Sequence, residues 1–274
     1  MTLEWSQVNR RLHQAADILN QDGALAYQGP LRVGIDLGTA DVVLMALDQD
    51  YRPLATFLEW AEVVRDGVVV DFIGAADIVG RLLARAGERL GRPITAAATS
   101  FPPGTDSRLS TNILERAGLE VTAVQDEPHF LAALLRLDRT AFVDVGGGTT
   151  GTAVFQEGRV VMSADEPTGG HHLTLTIAGH YGVDYQEAEQ RKRRPRQYHV
   201  FKLVLPTLQR ICDIVASHIQ GLAVERIVLS GGTCCLPGIE QVFTQELGLP
   251  VLLPDHPLLL TPLAIAAGCP PQSA

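Results

Sequence analysis

The sequence predicts an α/β protein that contains two copies of one unit, in which three strands are followed by helices. Two observations predict this class: a triplet of strand-like segments that occurs twice, and three glycine-rich segments that each follow a short apolar strand. The triplets are rich in β-branched and aromatic residues, which is typical of strands. The first triplet covers residues 31–37, 42–47 and 53–60, and the second covers residues 140–145, 151–155 and 159–163.

Three helical segments are predicted between the two triplets. Residues 73–90 carry apolar side chains at helical spacing, and a second helix is predicted over residues 106–117. A third helix is expected after Pro128, because proline suits the first turn of a helix. The first unit is therefore predicted to pair its strands with several helices.

The glycine-rich segments are GIDLGTADV, VDVGGGTTGTAV and VLSGGTCCLPGI, which begin at Gly34, Val143 and Val228. Small residues after a strand let backbone N–H groups approach a phosphate or a nucleoside closely. One such segment is more often an ordinary tight turn, because glycine is needed wherever φ is positive. Three of them in sequence favour a nucleotide site.

Asp36 and Asp144 each end an apolar strand inside the first two segments and are expected to face a cleft. Two neighbouring carboxylates repel each other, whereas Mg²⁺ bridged to phosphates, usually through water, lets both ionise. We therefore predict that both aspartates hold Mg²⁺ through water and take part in catalysis. The alternative is that each aspartate caps a turn, but the residues that follow are not those of a helix start.

The three segments, in this order, resemble the two phosphate loops and the adenosine loop of the actin/Hsp70/MreB superfamily of ATP-binding proteins. Other stretches resemble, more narrowly, the EutJ family of chaperone-like proteins of ethanolamine utilisation. The resemblance covers residues 31–268. The stretches that carry the narrower resemblance are VVRDGVVVDF from Val63, AATSFPPGTD from Ala97, GLEV from Gly118 with DEP from Asp126, SADEPTGGHH from Ser163 and TPLAIA from Thr261.

The resemblance implies an actin-like ATPase fold, made of duplicated ribonuclease H-like units with reduced small subdomains and an N-terminal helical extension. It places an N-terminal helix and linker at 1–30 and a first lobe at 31–139. The second lobe is expected at 140–260, and residues 261–274 are expected to form a helix that returns to the first lobe, and a tail.

The resemblance also implies ATP and Mg²⁺ as cofactors, and a weak Mg²⁺-dependent ATPase activity. Glu127, just before Pro128, stands where the family has a glutamate that positions the attacking water, although an acidic residue at a helix start also complements the helix dipole. Glu189 and Lys192 are expected near the ribose and adenine, or on a solvated helix face. The remaining expected nucleotide contacts are Gly34, Gly38, Thr39, Gly146, Gly147, Gly148, Thr149, Thr150, Gly231 and Gly232.

The first thirty residues predict a short amphipathic helix, because Trp5, Val8, Leu12, Ala15 and Leu19 recur at spacings of three and four. A glycine-containing linker, residues 21–30, follows. The helix either packs on its own domain or, like the encapsulation peptides of bacterial microcompartment cargo, docks in the groove of a partner.

Two further segments suggest binding sites. Residues 191–196, RKRRPR, are predicted to form an exposed loop that is either solvated or docks an acidic partner. His171 and His172 are not expected to bind a metal, because adjacent residues on a helix point about 100° apart.

The composition favours a cytoplasmic globular protein. The formal net charge of −9 argues against nucleic acid as a partner, and no apolar run is long enough to predict a membrane span or a secretion signal. Four cysteines without a CxxC pair are expected to be reduced. The resemblance implies that the partners are ethanolamine utilisation enzymes or microcompartment shell proteins. It is also compatible with the formation of oligomers.

Three alternative functions stay open. A filament or scaffold protein like MreB or the pilus-assembly members would polymerise with nucleotide, and a sugar or acetate kinase would need a catalytic base that the sequence does not reveal. A third alternative is that the protein binds ATP but has lost the ability to hydrolyse it. Hsp70 places a lysine beside the phosphates, and no lysine occurs here between Leu31 and Asp144. Arg65 is the one candidate substitute for such a lysine, although its place before Asp66-Gly67 more simply predicts a turn.

Overall fold

The computed structural model describes residues 2–25, 27–61, 64–65, 68–101 and 106–272. The chain divides into two compact units, one formed by Met1–Arg136 with Pro254–Ala274 and the other by Leu137–Leu253. The predicted turn at Asp66-Gly67 and the PPGT part of AATSFPPGTD lie outside the described residues, as does the side chain of Arg65.

The first unit is built around a five-stranded mixed sheet. Its strands are β1 (Arg32–Leu37), β2 (Asp41–Leu47), β3 (Pro53–Trp60), β6 (Ala96–Phe101) and β7 (Glu120–Asp126). Two short strands, β4 (Val64–Arg65) and β5 (Val68–Val69), pair antiparallel with each other. The order in the sheet is β3-β2-β1-β6-β7, with β6 and β7 parallel to β1. Its helices are α1 (Trp5–Asp17), α2 (Phe72–Leu90), α3 (Ser107–Arg116), α4 (Glu127–Leu134) and α10 (Leu260–Gly268).

Helices cover both faces of this sheet, and its inner strand β2 is accordingly apolar along most of its length. All seven residues of β2 are buried, because α2 and α10 both pack against it. Continuous apolar strands are typical of sheets buried on both faces. Aspartates cap three of the helices: Asp71, Asp106 and Asp126 each accept a hydrogen bond from a backbone N–H of the first turn.

The second unit repeats this arrangement. Its sheet has the order β10-β9-β8-β11-β12, which matches the first sheet strand for strand. Two sheets of the same topology confirm the predicted duplicated α/β architecture. The strands are β8 (Thr140–Val145), β9 (Thr150–Gln156), β10 (Arg159–Glu166), β11 (Arg226–Ser230) and β12 (Val251–Leu252), and the helices are α5 (Gly170–Tyr181), α6 (Tyr185–Lys192), α7 (Pro195–Tyr198), α8 (Phe201–Ile219) and α9 (Ile239–Leu247).

The RKRRPR segment is not the loop that its composition predicted. Arg191 and Lys192 complete α6, and Pro195 begins α7, where its missing N–H costs no hydrogen bond. The Arg191 guanidinium lies 4.5 Å from the ring centroid of Tyr181 and 5.4 Å from that of Tyr198. The segment therefore consists of the end of α6 and the start of α7, with Arg193 and Arg194 between them.

The N-terminal helix packs on the first unit. Val8, Leu12 and Ala15 are fully buried, and the N–H of Leu3 donates to the carbonyl of Leu134 over 2.8 Å. His13 Nε2 lies 2.7 Å from a carboxylate oxygen of Asp255. Of the two alternatives for this helix, the structure shows the one in which it packs on its own domain.

The segment after this helix is bound along α2 and is not a free tether. Arg89 donates to the carbonyl oxygens of Gln21 and Gly23, and Arg92 donates to that of Gly29 over 2.7 Å. Arg89 on α2 and Arg92, two residues after the helix, therefore bind backbone carbonyls of this segment. The composition of residues 21–30 did not reveal this because the binding groups belong to another element.

Replacing Leu12 with alanine is expected to lower the free energy of unfolding by about 2–5 kcal/mol, because a fully buried side chain leaves a cavity. Arg10→Ala, on the exposed face of the same helix, is the matched control and should change stability by about 0.5 kcal/mol or less. Denaturant unfolding measures both. Equal small effects would contradict the packed position of the helix.

Within the residues described, no helix is both long and apolar enough to cross a membrane.

Candidate nucleotide site

The second glycine-rich segment forms a tight turn between β8 and β9. The N–H of Gly146 donates to the carbonyl of Thr149 over 3.0 Å, which closes the turn. Its carbonyl groups point toward the start of α5, where the N–H groups of Gly170 and His171 donate to the carbonyls of Gly146 and Gly147 over 2.9 and 2.7 Å. The first N–H groups of α5 and the carbonyl groups of the turn thus satisfy each other's hydrogen bonds.

This arrangement leaves N–H groups of the turn available. No acceptor among the described residues binds the backbone N–H of Gly147 or of Gly148. Consecutive backbone N–H groups in a turn of this kind form an anion-binding concavity. The geometry therefore fits the predicted contact of Gly147 and Gly148 with a phosphate, whereas the N–H of Gly146 is used to close the turn.

Glycine at position 169 is what allows α5 to approach this turn. A Cβ on Gly169 would lie 2.8 Å from the carbonyl oxygen of Gly146 and 2.9 Å from the carbonyl carbon of Gly148. Any side chain there would push the helix away from the turn. The GG pair before the two histidines therefore has a packing role in the site.

The two threonines that end the segment have different roles. The Thr150 hydroxyl is buried and donates to the carbonyl of Thr168 over 2.5 Å. Its only proton is therefore used inside the protein, and the predicted place of Thr150 beside a phosphate stays a prediction. Thr149, which precedes β9, lies close enough to Asp165 to lower the pKa of its carboxyl.

The third glycine-rich segment packs directly on the second. Gly231 has φ of +94°, and the segment continues as a 3-10 helix, Gly232–Cys235. The hydroxyl of Thr233 donates to the carbonyl of Gly146 over 2.8 Å. Complete burial raises the pKa of the adjacent Cys234 thiol, so this cysteine stays protonated and inert.

Asp144 lies at the end of β8, next to both segments of the second unit. It is directly opposite Gly151 on β9 and beside Ser230 on β11. A Cβ on Gly231 would come within 2.5 Å of one of its carboxylate oxygens. The structure thus places Asp144 with the turn and with Gly231, as expected of a residue in one site.

Asp165 is a site residue that the sequence did not reveal. Burial raises the pKa of its carboxyl from 3.8 to about 6, and the nearby Thr149 hydroxyl opposes this rise. The charges of Asp144 and Glu166 also raise the pKa. The folded protein binds this proton more tightly than the unfolded chain does. The resulting stabilisation is complete below pH 3.8 and is lost as the pH rises through about 6.

Glu189 and Lys192 form a partly buried ion pair, with Lys192 Nζ 2.7 Å from Glu189 Oε2. Lys192 also donates to the Gly170 carbonyl over 3.0 Å and to the Thr174 hydroxyl over 2.8 Å. Burial lowers the pKa of Lys192, although the charge of Glu189 opposes this. Burial would raise the pKa of Glu189, but the charge of Lys192 and the hydrogen bonds to the carboxylate lower it overall. Both predicted residues therefore lie against α5, and their contact with a nucleotide stays a prediction.

The first glycine-rich segment lies in the first unit, between β1 and β2. Asp36 is near the end of β1, and the turn to β2 includes Gly38 and Thr39. Gly34 lies elsewhere: a Cβ at this position would be 2.4 Å from the backbone nitrogen of Ala266 in α10. Glycine is therefore needed at this position for the close approach of α10, and its predicted contact with the nucleotide stays a prediction.

Glu127 is the first residue of α4. The capping function is carried by its neighbour Asp126, which accepts a hydrogen bond from the N–H of His129 over 3.3 Å. Glu127 is therefore not needed as the cap, and its role toward water stays a prediction.

His171 and His172 lie at the start of α5, and His171 Nδ1 is 3.2 Å from the Tyr185 hydroxyl. Across the described ranges, no group of three or more His, Cys, Asp or Glu side chains has the geometry of a direct metal site. A Mg²⁺ ion held through water and phosphates needs no such group.

Comparison with known proteins defines the class and then the family. The family model for the type IV pilus assembly protein PilM matches residues 129–258. The structure superimposes on MreB 5 of Spiroplasma citri bound to AMPPNP with a TM-score of 0.65 at 16% identity, over 85% of this chain and 94% of that one. Together with the duplicated sheets and the glycine-rich turns, these matches show that the chain has the actin-like ATPase fold.

Two further relatives are much more similar. The ethanolamine utilisation protein EutJ of Escherichia coli K12 is 50% identical over 258 residues, which is 94% of this chain and 92% of the relative. The crystal structure of EutJ from Carboxydothermus hydrogenoformans has a TM-score of 0.88 and 40% identity, over 96% of this chain and 98% of that one. The chain belongs to the EutJ family of ethanolamine utilisation proteins.

Proposed function

We propose that this protein binds ATP with Mg²⁺ and acts as a chaperone or assembly factor in ethanolamine utilisation. The observation that carries the nucleotide part is the turn at residues 146–149, whose carbonyls bind α5 while the N–H groups of Gly147 and Gly148 have no acceptor among the described residues. Such N–H groups bind the phosphates of a nucleotide. The nucleotide-bound structural neighbour of the same fold supports the choice of ligand.

The residues present fit a Mg²⁺ ion that is bound mainly by phosphates and water. Mg²⁺ in nucleotide sites usually keeps several waters and contacts one or two carboxylates. Asp36 near the end of β1 and Asp144 near the end of β8 supply such carboxylates, each beside a glycine-rich turn. When bound, Mg²⁺ neutralises phosphate charge.

We assign Glu127 the role of positioning water for a slow hydrolysis of ATP. An acidic side chain can orient a water molecule without forming a covalent bond, because phosphoryl transfer depends mainly on positioning and on charge neutralisation. The start of α4 does not need Glu127 as its cap, because Asp126 has that function.

Family membership supports clients that belong to ethanolamine utilisation. We propose that these are its enzymes, such as the ammonia-lyase, or the shell proteins of the microcompartment, and that the protein works in the cytoplasm in association with the microcompartment. The negative net charge of −9 disfavours nucleic acid as a partner.

Calorimetric titration of the purified protein with AMPPNP, with Mg²⁺ and with EDTA, tests the nucleotide part, and phosphate release from ATP tests turnover. Binding that requires Mg²⁺ is expected, with turnover that Glu127→Gln abolishes while AMPPNP affinity is kept. Failure to bind AMPPNP in either condition would refute the nucleotide part. Sedimentation with and without nucleotide separates a chaperone from a filament, because a filament pellets only when nucleotide is added.

A further inference from the structure

The edge strand β3 of the first sheet is covered by the chain itself. Leu19 pairs with Thr56 alongside this strand, and the N–H of Asn20 donates to the Thr56 carbonyl over 2.8 Å. The Asn20 side chain accepts from the N–H of Leu58 over 3.0 Å and donates to its carbonyl over 2.9 Å. An uncovered edge strand presents unpaired N–H and C=O groups to any other strand, and residues 19–20 prevent this at β3.

The equivalent edge strand of the second sheet, β10, lacks such a cover among the described residues. Apart from its ladder with β9, the backbone of β10 takes part in one hydrogen bond, from the N–H of Thr168 to the carbonyl of Glu166. None of its eight residues is buried, whereas four of the eight residues of β3 are. Val161 is apolar and 48% exposed. The outer edge of β10 is therefore open to pairing with another strand.

The register of β10 makes this edge self-complementary. Against β9, Val160 and Met162 are opposite neighbouring residues, so Val161 forms a bulge and is skipped. If a second β10 lies antiparallel with Ser163 opposite Ser163 and the same residue is skipped, Met162 is opposite Ala164. Continued outward, this register brings Arg159 opposite Glu166 at both ends of the pair.

The two charged residues meet the geometric requirement for such a pair. Arg159 is opposite Gln156 and Glu166 is opposite Thr150, and these two residues of β9 lie on the same face because an even number of steps separates them. Both side chains are exposed. Arg159 has no ion pair with the described residues, and Glu166 has one with His218 at 4.0 Å. Both charges are thus available to a partner strand.

We propose that two copies of this protein associate through their β10 strands, which pair antiparallel about Ser163. The pairing joins two five-stranded sheets into one continuous sheet. A bulge and charged residues at an edge disfavour pairing with unrelated strands, whereas a second β10 matches both features. Because a contact of one strand edge is small, the dimer forms in proportion to protein concentration. A two-fold contact of this kind is closed, so it produces dimers and not filaments.

Sedimentation velocity of the full chain without nucleotide, over a series of concentrations at low salt, tests the charge pairs. Arg159→Glu and Glu166→Arg each replace two attractive pairs by two repulsive ones, so each variant alone should dimerise about tenfold more weakly or less than that. An equal mixture of the two variants should dimerise as well as wild type, because every pair between them is again of opposite sign. Arg210→Glu, an exposed charge reversal on α8, is the matched control and should leave dimerisation unchanged.

Crosslinking tests the position of the two-fold axis. Directly opposite residues on antiparallel strands have Cα atoms about 4.5–5.5 Å apart, which is within the range that a disulfide spans. Ser163→Cys should therefore form a covalent dimer under mild oxidation. Arg159→Cys should not, because the two copies of that residue are about 20 Å apart in this register. Wild type supplies the baseline, since its Cys235 is exposed.

Three results would overturn the inference. These are wild type that stays monomeric at every concentration, a mixture of the two charge variants that dimerises no better than each alone, and crosslinking of Arg159→Cys that equals that of Ser163→Cys. Circular dichroism verifies that each variant is folded, and Ser163→Cys keeps the test decisive if a charge variant does not fold. The proposed binding of nucleotide is independent of all three results.

Discussion

Asp144→Ala is expected to weaken Mg²⁺-dependent ATP binding about 10- to 100-fold while the protein stays folded. The side chain lies near the end of β8, beside the glycine turn and Gly231, and it is partly exposed. Removing a charged group from such a site costs about 1.5–3 kcal/mol of binding free energy. Calorimetric titration with AMPPNP measures the affinity, and circular dichroism verifies the fold.

The matched control for this variant is Asp213→Ala, which removes an exposed aspartate from α8 in the same unit. It changes the net charge by the same amount, so it reports any general effect of charge on nucleotide binding. Affinity that is unchanged in Asp144→Ala would remove the second glycine-rich turn from the nucleotide site. Equal losses in both variants would assign the effect to net charge.

Gly231→Ala is expected to destabilise the second unit by about 3–5 kcal/mol, through backbone strain and overpacking together. The φ of +94° is unfavourable for any residue with a side chain. The added Cβ would also lie 2.4 Å from the carbonyl oxygen of Val145 and 2.5 Å from Asp144 Oδ1. Denaturant unfolding gives the free energy of unfolding directly.

Gly158→Ala separates these two contributions. Gly158 also has a positive φ, +72°, but nothing lies within 4 Å of its Cβ position. Strain alone should therefore cost about 1–2 kcal/mol at this site. If Gly231→Ala were no more harmful than Gly158→Ala, the close contact between the third segment and β8 would be wrong.

The two strand triplets could be predicted because apolar, β-branched runs and glycine turns are local signals. Asp165 could not be predicted in the same way, because its position depends on the register of β9 and β10. That register shifts by one residue between Val160 and Met162. Without the shift, Asp165 would be opposite Thr150, and a slip of one residue moves a side chain to the other face of the sheet.

Other differences between sequence and structure arise from contacts between distant segments. Gly34 reads as a phosphate-loop glycine, but the helix that fills the space beside it comes from the C-terminal part of the chain. Thr149 and Thr150 are adjacent threonines in the sequence, and only the fold shows that the Thr150 hydroxyl donates to the Thr168 carbonyl while Thr149 lies near Asp165. Residues 21–30 resemble a linker in the sequence, and only the structure shows that Arg89 of α2 and Arg92, just after it, bind their carbonyls.

The turn at residues 146–149 is joined to the start of α5 by the hydrogen bonds that Gly170 and His171 donate to it. Lys192, the last residue of α6, binds both the Gly170 carbonyl and Glu189. A movement of the turn must therefore either break these bonds or move the start of α5 and the end of α6 with it. Phosphate binding at the turn would in this way act on the helix end that carries Arg191.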